Sequence, residues 1–371
     1  MSDSEMPGED RVRVAEPAEN PDIPERHQSR VGSLLRAQAF QILLVLIVIV
    51  IIFSALAPDT FGTLSNTRLI VQNASILAVL GVGMTFVIIT AGIDLSIGSV
   101  LVFSGAVAAL VMREIGGEGW GTATIGIIVS ILSGMAWGII NGVLIAKAKV
   151  PPLIVTLGTL GMALGFALIL TGGIDIREAP SVLVGVVGYG NIIGGIPVLS
   201  VIALVVIIIG IIVLRFTKFG RYTYAIGSSE DAARRVGVKV DRHLIQVYAL
   251  TGALAGLAGI LSLAQFSTTA IGGQSQTNLN VIAAVVIGGT SLFGGIGTIF
   301  GTVVGLFIPA VLQNGFVIIG VQPFWQQVAV GAVLIGAVYV DQTRRAATQR
   351  GGKSNSLGRK LVGGNRSQGK N

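Results

Sequence analysis

The chain has 371 residues, 52% of them hydrophobic and only 12% charged, with a mean hydropathy of +0.82 and a formal net charge of +7. The charged share is about half the usual globular value, and no soluble fold hides that much apolar surface, so the surrounding solvent is lipid. There is no cysteine, which excludes disulfides and thiolate metal sites, and two histidines, both in polar segments, leave little for a histidine metal site or a catalytic triad. Glycine occurs 52 times, about twice the average usage of roughly 7%. In lipid this is an asset, because small residues let helix backbones approach closely.

In chain order, Met1–Arg30 is rich in Pro, Glu, Asp and Ser. It has too few apolar residues to offset the entropy of ordering, so residues 1–37 are expected as a disordered cytoplasmic tail. A membrane-spanning helix needs roughly 20 mostly apolar residues. Spans fall near 38–57, 68–90, 97–112, 121–146, 152–171, 198–214, 244–265, 279–293, 298–319 and 325–340. The fold class is therefore an all-α polytopic membrane protein with about ten transmembrane helices, in one transmembrane domain over 38–341. The first span is too long, and its acidic leader too extended, for a cleavable signal peptide. The stretch 279–293 is the weakest, since it is short, runs into Gly-Gly and has the length of a re-entrant segment. Residues 342–371 form a basic tail, also expected to be disordered and cytoplasmic.

With the N-terminus inside, the inner segments hold five, two, seven and eight basic residues, or 22 of the 25 in the chain. The outer loops hold only Arg68, Arg113 and Arg177. By the positive-inside rule both termini are cytoplasmic. Membrane topology then accounts for the net positive charge, and a nucleic-acid partner is not indicated.

Two polar breaks interrupt the apolar runs, ITAGIDLSIGSV at Ile89–Val100 and VIGGTSLFGGIGTI at Val286–Ile299. Ile97–Val100 lines up with Ile296–Ile299, which hints at a parallel repeat of the kind found in transporters. Such breaks free backbone groups that are tolerated at membrane depth only when buried in protein or lining an aqueous cavity. Their side chains, Thr90, Asp94, Ser96, Ser99 and Thr290, with Ser104 and Asn278 nearby, are the candidates for a substrate pathway. Tight turns between helices are the alternative, and Asp94 could instead cap the helix beginning LSIGSVLVF. Asn141 and Asn314 each precede glycine and are expected to bond across helices, at about 0.6 kcal/mol. GxxxG spacings at Gly161/Gly165, Gly252/Gly256 and Gly301/Gly305 mark close helix contacts. No charged residue sits mid-span, which argues against an ion-coupled carrier.

The segment Arg215–His243 is polar and basic and lies between two long apolar runs. Ser228 can cap a short helix, with Ser229 following it. Glu230 and Asp231 sit at its positive end, Arg234 and Arg235 at its negative end, and Gly237 can stop it. Ala232, Ala233 and Val236 form a small apolar stripe. A helix this short is unstable alone and must dock. Its internal charges cancel, which disfavours an anionic lipid surface and favours a soluble partner over the chain's own helix ends. No GxxxxGK[ST] occurs, so any ATP is bound by another subunit.

Seven blocks carry a resemblance that runs from about Asn66 to Asp341. They are TAGIDLSIGS (Thr90–Ser99), NGVLIAK (Asn141–Lys147), PPLIVTLGT (Pro151–Thr159), TKFGRYTYAIGSSEDAARRVGV (Thr217–Val238), VIGGTSLFGGIGT (Val286–Thr298), LQNGFVIIGV (Leu312–Val321) and WQQVAVGAVLIGAVYVD (Trp325–Asp341). In these the chain resembles the permease subunit of ribose-type monosaccharide ABC importers. Ala91, Ser229 and Ile296 stand where many relatives have Gly, Asn and Arg. The resemblance implies a homodimer in the bacterial cytoplasmic (inner) membrane that moves a monosaccharide by alternating access. It implies two ATPase subunits, binding ATP and Mg, on the cytoplasmic face, and an extracytoplasmic sugar-binding protein. The chain itself would bind no cofactor and catalyse no covalent step. Its coupling helix would lie in Ala225–Val238, with Gly227, Ser228, Ser229, Glu230, Asp231, Ala232, Ala233, Arg234, Arg235 and Gly237 meeting the ATPase. Another small polar cargo (a nucleoside, inositol or a branched-chain amino acid) is the alternative, followed by an ATP-independent carrier or channel.

Overall fold

A computed structural model describes residues 38–339, apart from 193, 275–276, 323, 326, 329–330, 333–334 and 337–338. Both tails, 1–37 and 342–371, lie outside the described residues. The helices are α1 (Gln38–Leu56), α2 (Leu64–Ile89), α3 (Ile97–Ile115), α4 (Trp120–Ala146), α5 (Pro152–Thr171), α6 (Val198–Phe216), α7 (Lys218–Ser228), α8 (Glu230–Arg235), α9 (Val240–Phe266), α10 (Thr277–Ile287) and α11 (Ile299–Ile318). A π-helical turn at Leu183–Gly188 and an antiparallel pair, β1 (Asn191–Ile192) with β2 (Ile196–Pro197), lie between α5 and α6. The described positions between Phe324 and Tyr339 are helical.

Among the described residues, seven helices, α2 to α6, α9 and α11, are long and apolar enough to cross a membrane. Together they make the chain an all-α multi-pass membrane protein. Long apolar side chains such as Ile154 and Ile169 on α5 and Leu204 on α6 remain exposed, as a lipid solvent allows.

Glycine sets the core. Helix α9 lies against α4 so closely that a Cβ on Gly252 would meet the Gly134 carbonyl oxygen at 2.3 Å, and one on Gly256 would meet that of Ser130 at 2.1 Å. A Cβ on Gly305 would meet the Ala284 oxygen at 2.2 Å. These two GxxxG pairs are therefore backbone contacts. The third pair, Gly161/Gly165, meets nothing within 4 Å in this chain. The expected amide bonds are present. Asn66 and Asn314 exchange reciprocal bonds of 3.0 and 2.8 Å between α2 and α11, and Asn141 donates to the Ser96 hydroxyl at 3.0 Å.

The polar breaks end their helices in one way. At the end of α2, the Ala91 N–H bonds the Ile88 carbonyl and the Gly92 N–H that of Val87, with Ala91 at φ +62°. At the end of α10, Gly289 bonds Val286 and Thr290 bonds Val285, with Gly289 at φ +93°. Both are Schellman endings with a left-handed residue after the cap. The second corrects the expected span 279–293, because the turn at Gly289 stops the helix at Ile287. The eleven residues of α10 reach only about 16 Å at 1.5 Å per residue.

Candidate functional site

The loop between α6 and α9 folds as two helices at an elbow. Thr217 caps α7 by accepting from the Gly220 N–H at 3.3 Å. Gly220 lies so close to the preceding turn that a Cβ there would sit 1.9 Å from the Leu214 carbonyl oxygen, which forces the sharp reversal out of α6. The cap of α8 is Ser229, whose hydroxyl accepts from the Ala232 N–H at 3.2 Å. Ser228, expected as the cap, is instead the last residue of α7, with its hydroxyl donating to the Tyr224 carbonyl at 2.9 Å. The two serines are equally able caps, and the length of α7 decides between them. Gly237, at φ +85°, ends α8 through bonds from Gly237 to Arg234 and from Val238 to Ala233.

Of the expected stripe only Ala233 turns inward, 3% exposed, beside Ile226, Val240 and Leu244. Ala232 and the C-cap Val236 face outward, and Val236 is 79% exposed. Glu230, Asp231 and Arg235 are exposed as well. Arg234 is engaged within the chain. It bonds Glu230 at 2.8 and 3.1 Å and also Asp241, while Lys149 reaches Asp241 at 3.1 Å. Helix α8 is thus fastened to the start of α9, which Lys149 ties in turn to the α4–α5 turn, with a small mixed face left outward.

The elbow itself rests on both polar breaks. A Cβ on Gly227 would fall 1.7 Å from the Ile89 carbonyl oxygen and 2.6 Å from the Gly295 nitrogen. Gly295 donates to that same Ile89 oxygen at 2.9 Å, and the Tyr224 hydroxyl donates to the Gly297 carbonyl at 2.6 Å. Burial pushes the Tyr224 phenol up, so it stays protonated as a donor.

Beside the end of the first break, a cavity of about 450 Å³ is lined by Gly98 and Ser99 of α3, Asn278 of α10, and Gly173, Asp175, Ile271 and Gly272 of the neighbouring loops, with a leucine wall from α5. Asn278, 7% exposed, accepts from the Gly98 N–H at 2.6 Å and so caps α3 from another helix. Asp175 accepts from the Thr269 hydroxyl at 3.0 Å and the Ile271 N–H at 2.8 Å, holding the loop at the cavity edge.

Among the sequence candidates, Ser99 and Asn278 line this cavity. The others lie away from its wall. Thr90 donates to the Val87 carbonyl at 2.7 Å. Asp94, 2% exposed, accepts from the Ser96 N–H and hydroxyl at 2.8 and 2.6 Å. It therefore fixes the turn before α3, and capping of that helix falls to Asn278. Ser104 and Thr290 are buried, and their hydroxyls have no partner among the described residues. Gly173 and Asp175 were missed in the sequence, where the signal was the run TGGID closing α5.

A family model described as branched-chain amino acid transport system / permease component matches residues 66–338. The chain belongs to this permease family. It is similar to the ribose import permease protein of Escherichia coli (strain K12), 38% identical over 82% of this chain and 93% of the relative. The ribose import permease protein of Bacillus subtilis (strain 168) is 40% identical over 81% and 92%. The fructose import permease protein of Rhizobium meliloti is 33% identical over 81% and 84%. No solved structure matches this permease.

Proposed function

We propose that this chain is the transmembrane permease subunit of a bacterial ABC importer, moving a monosaccharide across the inner membrane by alternating access. It is a multi-pass subunit that carries out no covalent step and binds no cofactor. ATP and Mg belong to a separate ATPase subunit on the cytoplasmic face. An extracytoplasmic sugar-binding protein delivers the cargo, and a second copy of the permease completes the pathway within the lipid. The reading is carried by the α7–α8 elbow, which offers a free outer face while its inner face touches both polar breaks. Residues Gly227 to Arg235 and Gly237 form this coupling element.

The cavity supports a neutral polyhydroxylated cargo. Its volume of about 450 Å³ is in the range of small-molecule sites. The Ser99 hydroxyl, the Asn278 amide, the Asp175 carboxylate and the backbone of Gly98, Gly173 and Gly272 offer hydrogen bonds, and Leu160, Leu164 and Leu168 offer an apolar wall for C–H faces. The remaining sequence candidates, Thr90, Asp94, Ser96, Ser104 and Thr290, would support this pathway from beneath.

The test is gentle extraction of the tagged chain from its native membrane and mass spectrometry of what accompanies it. A P-loop ATPase recovered with the wild type and lost on Arg235→Glu supports the reading. A chain recovered alone that moves sugar into liposomes without ATP replaces it with an ATP-independent carrier.

A further inference from the structure

We infer that the hydrogen bond from Tyr224 to Gly297 is the link through which the coupling elbow moves α10, and that Asn278, at the far end of α10, is the group this movement releases into the cavity. The inference rests on the reading of the chain as an ATPase-driven permease. The loop 288–298 meets the elbow at backbone level. A Cβ on Gly294 would lie 2.8 Å from the Gly227 carbonyl oxygen and one on Gly295 3.2 Å from the Ser228 nitrogen, beside the Tyr224 bond of 2.6 Å. The loop is also closed on itself. Ser291 donates to the Ile296 carbonyl and Gly294 to that of Ser291, both at 3.0 Å, and Gly297 packs on Thr290 with no room for a Cβ. It joins α10 through the Schellman ending at Gly289, so loop and helix form one stiff body.

That body has a smooth track. Gly288 and Ala284 meet Gly301 and Gly305 of α11 backbone to backbone, a surface suited to small sliding shifts. At the other end the bond between Gly98 and Asn278 measures 2.6 Å. A slide of about 1 Å along that bond carries it past the hydrogen-bonding limit. The Asn278 amide and the Gly98 N–H, which satisfy each other here, would then both face the cavity as partners for sugar hydroxyls. Tyr224 is thus a positioning residue, and Asn278 alternates between capping α3 and holding cargo.

The chain contains no cysteine, so Ser99→Cys installs a single reporter beside Asn278. The complex with the ATPase is co-purified and reconstituted. Labelling of the reporter by a membrane-impermeant maleimide is then timed with and without ATP and vanadate. With Tyr224 present, nucleotide trapping changes the labelling rate. Tyr224→Phe keeps the ring and is expected to shrink that change about fivefold, the equivalent of one hydrogen bond of ordinary net strength. The amount of ATPase recovered and the rate without nucleotide stay the same. Asn278→Ala reads the other end, and there the reporter should label at one rate in both nucleotide states. A nucleotide effect of undiminished size in either variant overturns the inference. A Tyr224 chain that binds no ATPase and shows no nucleotide effect would instead defeat the functional reading, and this inference with it.

Discussion

Replacing Gly227 with alanine tests whether the elbow is held by backbone contact. The added Cβ would sit 1.7 Å from the Ile89 carbonyl oxygen and 2.6 Å from the Gly295 nitrogen, so the two backbones must part by more than 1 Å. Neither atom is the end of a flexible side chain that could swing aside. Overpacking of this kind costs about 1–3 kcal/mol. Parting these backbones also weakens the bond from Gly295 to Ile89 (2.9 Å), at about 1 kcal/mol. Alanine recovers about 1 kcal/mol of helix propensity, which leaves a net loss of about 1–3 kcal/mol. Gly161→Ala is the matched control, since nothing lies within 4 Å of that position and only the propensity gain applies. The assays are the thermal midpoint of each purified variant in detergent and ATP-driven uptake by the reconstituted complex. Gly227→Ala should lower the midpoint and depress uptake, while Gly161→Ala should hold or raise the midpoint. A Gly227→Ala protein that melts with the wild type and transports as fast refutes the argument.

Four further outcomes follow from the same geometry. Ala91 carries a left-handed backbone at φ +62°, so Ala91→Gly should stabilise the protein by about 1 kcal/mol, read as a raised melting midpoint. Val236→Asp places a charge on the outward face of α8 and should abolish ATPase co-purification with the midpoint unchanged. Arg234→Glu sets like charges beside Glu230 and Asp241 and should lower both. Asn314→Ala deprives Asn66 of two bonds and should cost about 1–3 kcal/mol, with the Asn66→Ala/Asn314→Ala pair costing less than the sum of its parts in a double-mutant cycle.

The long helices were legible because a bilayer demands continuous apolar runs, and α2 to α6, α9 and α11 lie where those runs predicted. The end of α10 was not, because Leu292 and Phe293 resume the apolar run just past the short Gly-Gly-Thr-Ser break, and the stop depends on one left-handed glycine, Gly289. The segment Arg215–His243 was legible as a short helix from Glu230 to Arg235, but α7 read as loop. Its polar sequence shows no long apolar period, and that hid the shift of the cap from Ser228 to Ser229. The stripe Ala232–Ala233–Val236 failed for a simpler reason. Ala232 points about 100° away from Ala233, and the helix ends at Arg235, so Val236 is its C-cap and stands in solvent. In the cavity, Ser99 was found because it lies in a polar break, and Asn278 because it lies in the polar, uncharged loop Ser267–Asn280. Asp175 was missed because its partners Thr269 and Ile271 are more than ninety residues away. The structure also accounts for two departures from the resemblance. Ala91 occupies a position where glycine costs less, and Ser229 fills a cap that asparagine fills equally well.

The shortness of α10 has a consequence for how the protein is made. Translocation machinery admits a segment to the bilayer largely on its own hydrophobicity and length, and eleven residues give it little to recognise. Yet Val281, Ala283 and Val285 end fully buried against α2 and α11. This segment must therefore be drawn in by its neighbours late in biogenesis, and α11, its main companion, is synthesised after it. Ribosome-arrested chains ending before Ile299 should leave 277–287 open to protease, and chains extended through Ile318 should protect it.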